Sequence, residues 1–177
     1  MTEQSITVPK HAGDTRTAAE NAEKGFRASQ ELSDNIQKVL VDLIVLSLVG
    51  KQAHWNIVGP NFRDLHLNLD EVVDIARDGS DEFAERLRAL HATPDGRPSV
   101  VAARTSIEQF PQGEVSTHDA IDLIVAAIET TVATMREVHD AVDAEDPTTS
   151  DMLHEYTQKL EQQAWFISSE TRAPEKA

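Results

Sequence analysis

Residues 54–70 read HWNIVGPNFRDLHLNLD, and the fold turns on the Gly59-Pro60-Asn61 break at the centre of that stretch. Upstream of it, Leu32, Ile36, Val39, Leu40, Leu43 and Ile44 recur at helical spacing, so a first helix is expected from Leu32 to about Val58, with Gly59-Pro60 ending it. Downstream, Asn61 is expected to cap a second helix carrying Phe62, Leu65, Leu69, Val72, Val73, Ala76, Phe83, Leu87 and Leu90, which stops before Thr93-Pro94-Asp95-Gly96. Two long helices joined by so short a link pack as antiparallel neighbours.

Further along, residues 98–113 enclose SVVAARTSIEQF between prolines and glycines, which suits a long crossover containing one short helix. Ser116-Thr117-His118-Asp119 resembles a capping box opening a third long helix through Ile121, Ile124, Val125, Ile128, Val132, Met135 and Val142. Glu145-Asp146-Pro147 interrupts it. A fourth helix is expected from Thr149 or Ser150, carrying Met152, Leu153, Tyr156, Leu160, Ala164 and Ile167. Short first and last links around a long middle one give an all-α four-helix bundle with one crossover, the ferritin-like topology. Residues 29–171 are assigned to this bundle. Residues 1–28, poor in large apolar side chains, are expected to form a flexible arm that docks near Phe26, and 172–177 a short tail.

The length of 177 residues suits one domain with a real core. No apolar run reaches the roughly 18 residues of a membrane span, and residues 1–21 lack the apolar stretch of a secretion signal, so a cytoplasmic protein with no membrane partner is expected. Cysteine is absent, which excludes disulfides and thiolate chemistry and leaves any metal to histidine and carboxylate ligands. A net charge of -15 argues against a broad nucleic-acid footprint and favours cations as partners, although acidity also serves solubility alone.

A histidine followed four residues later by an aspartate occurs at His66/Asp70, His91/Asp95, His118/Asp122 and His139/Asp143. In so acidic a chain one such pair means little. His91, His118 and His139 read as exposed or capping residues, since no second ligand pair follows them at helical spacing. His66 differs: Asp70, Asp81 and Glu85 continue its stripe within an arc of about 100°. Yet Asp81 lies about 16 Å of helical rise beyond Asp70, too far for both to hold one ion within one chain. If the helix packs antiparallel against its copy, His66 and Asp70 of one chain meet Glu85 and Asp81 of the other, and an isologous dimer with its two-fold axis beside Ile75 and Ala76 gains two equivalent sites. His54, just before the turn, is placed to complete the set. An ordinary amphipathic helix with a solvated acidic face would show the same spacing.

Taken together, His54, His66, Asp70, Asp81 and Glu85, within KQAHWNIVGPNFRDLHLNLD and SDEFAER, resemble the ferroxidase signature of the Dps proteins, especially the actinobacterial ones. The long helices, the short crossover helix and QAWFISSE near the C-terminus also resemble that family. The resemblance implies a dodecameric homo-oligomer that oxidises ferrous iron, preferentially with hydrogen peroxide rather than oxygen, at centres between subunits, and stores ferric iron in its cavity. It implies His54, His66 and Asp70 as ligands from one subunit and Asp81 and Glu85 from its mate, with Trp55 either intercepting stray oxidising equivalents or packing at the interface. Lys51 is either a partner of a ligand carboxylate or a surface lysine.

By the same resemblance, Asp146, Asp151 and Glu155 have the spacing of acidic residues lining three-fold pores, where three copies would draw cations inward; Glu155 stands where an aspartate is expected. A solvated acidic turn is the alternative. In the arm, Lys10, Arg16, Lys24 and Arg27 are balanced by Glu3, Asp14, Glu20 and Glu23, so DNA binding is expected to be weak or absent. A nucleoid-compacting DNA-binding protein with secondary iron chemistry is the competing reading, ahead of a zinc hydrolase, for which no substrate pocket is visible.

Overall fold

The computed structural model describes residues 25–174. The expectations for residues 1–24 and 175–177 lie outside the described residues. Four long helices form the bundle: α1 Gln30–Asn56, α2 Phe62–Ala89, α4 Thr117–Glu145 and α5 Pro147–Ser169; the short α3, Pro98–Arg104, rides in the crossover. Helix α1 packs on both α2 and α4, while α5 packs on both α4 and α2, so the crossover carries the chain to the far side of α1. This is the ferritin-like arrangement.

Each helix buries the stripe that its spacing marks out. Leu43, Leu46, Leu65, Leu69, Phe83, Ile124, Ile128, Tyr156 and Leu160 are essentially inaccessible and form one continuous core. At Gly50, an added Cβ would stand 2.7 Å from Val73 Cγ2, so α1 and α2 approach closely one residue before Lys51.

The ends differ from the sequence expectations in instructive ways. Helix α1 starts at Gln30 because the Ser29 hydroxyl accepts from the Leu32 N–H at 3.0 Å. The same hydroxyl donates to Glu145 Oε2 at 2.6 Å, pinning the start of α1 to the end of α4. Near Phe26, which is itself exposed, the Ala28 N–H donates to the Leu90 carbonyl at 3.1 Å. Asn61 does occupy the N-cap position of α2, but with φ 58° and ψ 19° and without a side-chain cap bond. Asparagine tolerates this left-handed conformation, and here it reverses the chain after Gly59-Pro60. Ser116 caps α4 as its spacing implies, accepting from the Asp119 N–H at 3.1 Å.

Helix α5 begins at Pro147, earlier than expected, because a proline in the first turn costs no hydrogen bond there. A two-residue parallel pairing of Ile57 with Val115 and Val58 with Ser116 ties the end of α1 to the start of α4. The crossover is also held midway by buried Asp42, which accepts from Thr105 Oγ1, the Ser106 N–H and Thr134 Oγ1 at 2.9, 2.8 and 2.7 Å. No helix among the described residues is long and apolar enough to cross a membrane.

Candidate metal centre

The α1–α2 turn brings the last turn of α1 against the first turns of α2. His54, His66 and Asp70 there offer ligand atoms that all lie within 4.8 Å of one another. The two imidazoles are locked reciprocally: His54 Nδ1–H donates to the His66 carbonyl and His66 Nδ1–H to the His54 carbonyl, each at 3.1 Å. Their rings stack with centroids 3.6 Å apart. A carbonyl can only accept, so each Nδ1 carries a proton and Nε2 is the nitrogen left to face a metal.

Electrostatics prepare the same state. Burial pushes the His54 pKa down against the pull of Asp70, favouring neutral imidazole. A hydrogen bond from Lys51 is the main cause holding the Asp70 carboxyl below its ordinary value, so it stays ionised. Lys51 is therefore a partner of this carboxylate rather than a free surface lysine. The oxygen it binds also lies 3.3 Å from His54 Nδ1. Two imidazoles and a carboxylate, with no thiolate, suit a first-row divalent ion such as ferrous iron and leave coordination positions open.

Asp81 and Glu85 do not join this cluster. Both are exposed, further along α2. Trp55, beside His54, is 70% exposed; Phe62 and Leu67, the latter next to His66 in the chain, are also uncovered, and Leu48 is exposed earlier on α1. Phe62 leans on the His66 ring at 5.2 Å.

At the α4–α5 turn, Asp151 and Glu155 are exposed, and Lys159 Nζ donates to Glu155 Oε1 at 2.6 Å. Asp146 is different: it is buried and accepts from Arg86 Nη2 at 2.6 Å and Thr149 Oγ1 at 2.5 Å. Burial alone would raise its pKa, but those hydrogen bonds and the Arg86 charge outweigh it and lower the value. Its carboxylate is thus committed to the turn, leaving Asp151 and Glu155 as the acids turned outward.

Of the remaining histidines, His91 is exposed just past α2 in a left-handed conformation and His118 is exposed in the first turn of α4. His139 departs from expectation. It is half-buried and meets His154 across the α4–α5 pair. Spacing within one helix cannot reveal such a pair, but position can: the two residues flank the Asp146-Pro147 turn at nearly equal distances, and antiparallel helices bring such residues opposite each other.

The ferritin-like domain family model matches residues 33–175. The chain is 34% identical over 136 residues to the fine tangled pili major subunit of Haemophilus ducreyi, covering 77% of this chain and 72% of that protein. It is 30% identical over 135 residues to the DNA protection during starvation protein of Agrobacterium fabrum, covering 76% and 83% respectively. Among solved structures, Dps from Microbacterium arborescens in its high iron form aligns with a TM-score of 0.76 and 32% identity, over 82% of this chain and 98% of that one. The chain belongs to the ferritin-like family and, within it, to the Dps proteins.

Proposed function

We propose that this protein is an iron-storing miniferritin that oxidises ferrous iron, preferentially with hydrogen peroxide, at centres shared between two subunits. The observation that carries this reading is the split ligand set. His54, His66 and Asp70 converge within 4.8 Å at the α1–α2 turn while Asp81 and Glu85 stay exposed further along α2, beyond reach of the cluster. A second copy packed antiparallel along α2 would supply those two carboxylates and offers a cover for the exposed Trp55, Phe62 and Leu67.

Iron is the substrate of such a centre. His54 and His66 bind ferrous ions through Nε2, and anionic Asp70, with Asp81 and Glu85 of the partner subunit, stabilises the extra charge as ferrous becomes ferric. Two ferrous ions give up one electron each, and one peroxide takes both, its O–O bond breaking to yield two waters after uptake of two protons. Pairing the electrons in this way avoids releasing hydroxyl radical, so storage and protection from oxidative damage coincide. Trp55, adjacent to His54, is placed to take up stray oxidising equivalents or to pack at the interface.

The closed homo-oligomer, expected to be a dodecamer, would store the ferric product and admit ferrous ions past Asp151 and Glu155, with Asp146 fixing the turn that carries them. Weak or absent DNA binding and a cytoplasmic location accompany this reading.

The test is to load the apo-protein anaerobically with ferrous iron, add peroxide or oxygen, and follow ferric absorbance. Fast peroxide-dependent oxidation lost in both His54→Ala and Asp81→Ala is expected. Unchanged rates in Asp81→Ala would refute a shared centre.

A further inference from the structure

His139 and His154 lie outside the centre described above. Their Nε2 atoms are 2.7 Å apart and their ring centroids 4.6 Å apart. Each ring has an acid on its other nitrogen. Asp140 Oδ1 is 3.0 Å from His139 Nδ1, and Asp151 Oδ1 is 4.0 Å from His154 Nδ1. The Asp140 contact lets His139 donate from Nδ1 and turns its Nε2 toward His154, the orientation found at metal-binding histidines, while Asp151 approaches His154 at ion-pair rather than hydrogen-bond distance. Two ring nitrogens facing each other at 2.7 Å require something positive between them, either a proton or a cation.

The surroundings supply room and a third donor. Buried Ser150 places Oγ 3.2 Å from His139 Nε2. The pair borders a hollow of about 260 Å³ lined also by Met135, Leu153 and Thr157, with space for water ligands. Arg136 borders it too, and its guanidinium is bound to Glu161.

We propose that His139 and His154 form a second cation site, taking a borderline first-row divalent ion of the zinc, cobalt or ferrous type and clamping α4 to α5. Ser150 or water fills the remaining positions. Metal–nitrogen bonds of about 2.0 to 2.1 Å at a tetrahedral angle put the nitrogens about 3.3 Å apart, so the rings need to part by only about 0.6 Å. The His154 side chain, 63% exposed, has the freedom to do so. The site does not depend on the iron-oxidation reading, since none of its residues belongs to the first centre.

Cobalt is the probe. Full-length protein carrying His54→Ala and His66→Ala, which lacks the imidazoles of the first centre, is titrated with Co²⁺ and examined by visible and X-ray absorption. About one ion per chain with two imidazole ligands is expected. Adding His139→Gln or His154→Gln should remove the imidazole signature and weaken binding by about tenfold or more. His154 is exposed, so its glutamine variant keeps the fold, which circular dichroism verifies, and loss of binding then reports the ligand. Cobalt held with the same spectrum after His154→Gln, or held through oxygen alone, overturns the proposal. So does an absence of binding, in which case nitrogen-15 spectra would show a proton shared between the two Nε2 atoms.

Discussion

The ammonium of Lys51 and the carboxylate of Asp70 are directly paired, and the oxygen they share is the one that faces His54. A cation approaching His54, His66 and Asp70 meets another positive charge already bound there. Lys51→Met should therefore raise the affinity of the apo-protein for cobalt or ferrous ion by about three- to tenfold at low salt, since like charges a few ångströms apart repel by about a kcal/mol or more. Anaerobic calorimetry measures it. Weaker binding in the variant would mean that the lysine chiefly orients Asp70.

Sharing a centre between two chains has a signature that no single variant gives. His54→Ala and Asp81→Ala chains should each be inactive alone, yet mixed dimers place both lesions in one centre and leave the other whole. Equimolar refolded mixtures should thus recover about a quarter of native centres, as random pairing in a two-fold dimer requires. Peroxide-driven iron oxidation by the mixture reads this directly, and no recovery would refute a centre shared between two chains.

Asp42 holds the crossover to α1 and α4 from a position that is 1% exposed. Truncating it leaves Thr105, Ser106 and Thr134 donors without an acceptor. Asp42→Ala should cost about 3 to 5 kcal/mol. The melting midpoint at fixed protein concentration should fall by roughly 10 °C. A fall of one or two degrees would show that water replaces the carboxylate.

Near the end of α5, burial raises the Glu170 pKa, with a smaller push from Asp64, and Glu170 Oε2 has no hydrogen-bond partner. A carboxyl whose folded pKa is raised costs stability when both states are ionised, and the cost disappears as pH falls through the folded pKa. Glu170→Gln should therefore stabilise the protein by about 1 kcal/mol at pH 7, and by progressively less under acid conditions. Melting curves from pH 7 to 4 would test it, and a gap between the proteins that widened on acidification would contradict the assignment.

Helices and core were legible because apolar positions repeat with the helical period, and Leu65, Leu69, Phe83 and Leu87 are buried as their spacing requires. Helix ends were less so. Asn61 has a capping side chain by type but serves through its backbone, and Pro147 both breaks one helix and opens the next. The proximity of His54 to His66 follows from the turn between them. Their mutual carbonyl bonds, and the grip of Lys51 on Asp70, depend on helix rotation and rotamers that no spacing encodes. The His139–His154 pair was hidden for a related reason, since it joins separate helices whose register is set by the α4–α5 turn. The Ile57–Val115 pairing brings together segments separated by the whole crossover, and two residues are too few to leave a strand pattern.

The reciprocal bonds between His54 and His66 span only twelve residues of chain. Contacts so local close early and quickly, needing only the α1–α2 hairpin to form. The cluster of His54, His66 and Asp70 is thus a product of folding within one chain, and under the proposed shared centre only Asp81 and Glu85 await a second copy. On that proposal a newly made subunit would carry a finished half-site before it meets its mate, and the capacity to bind a cation would precede assembly in time.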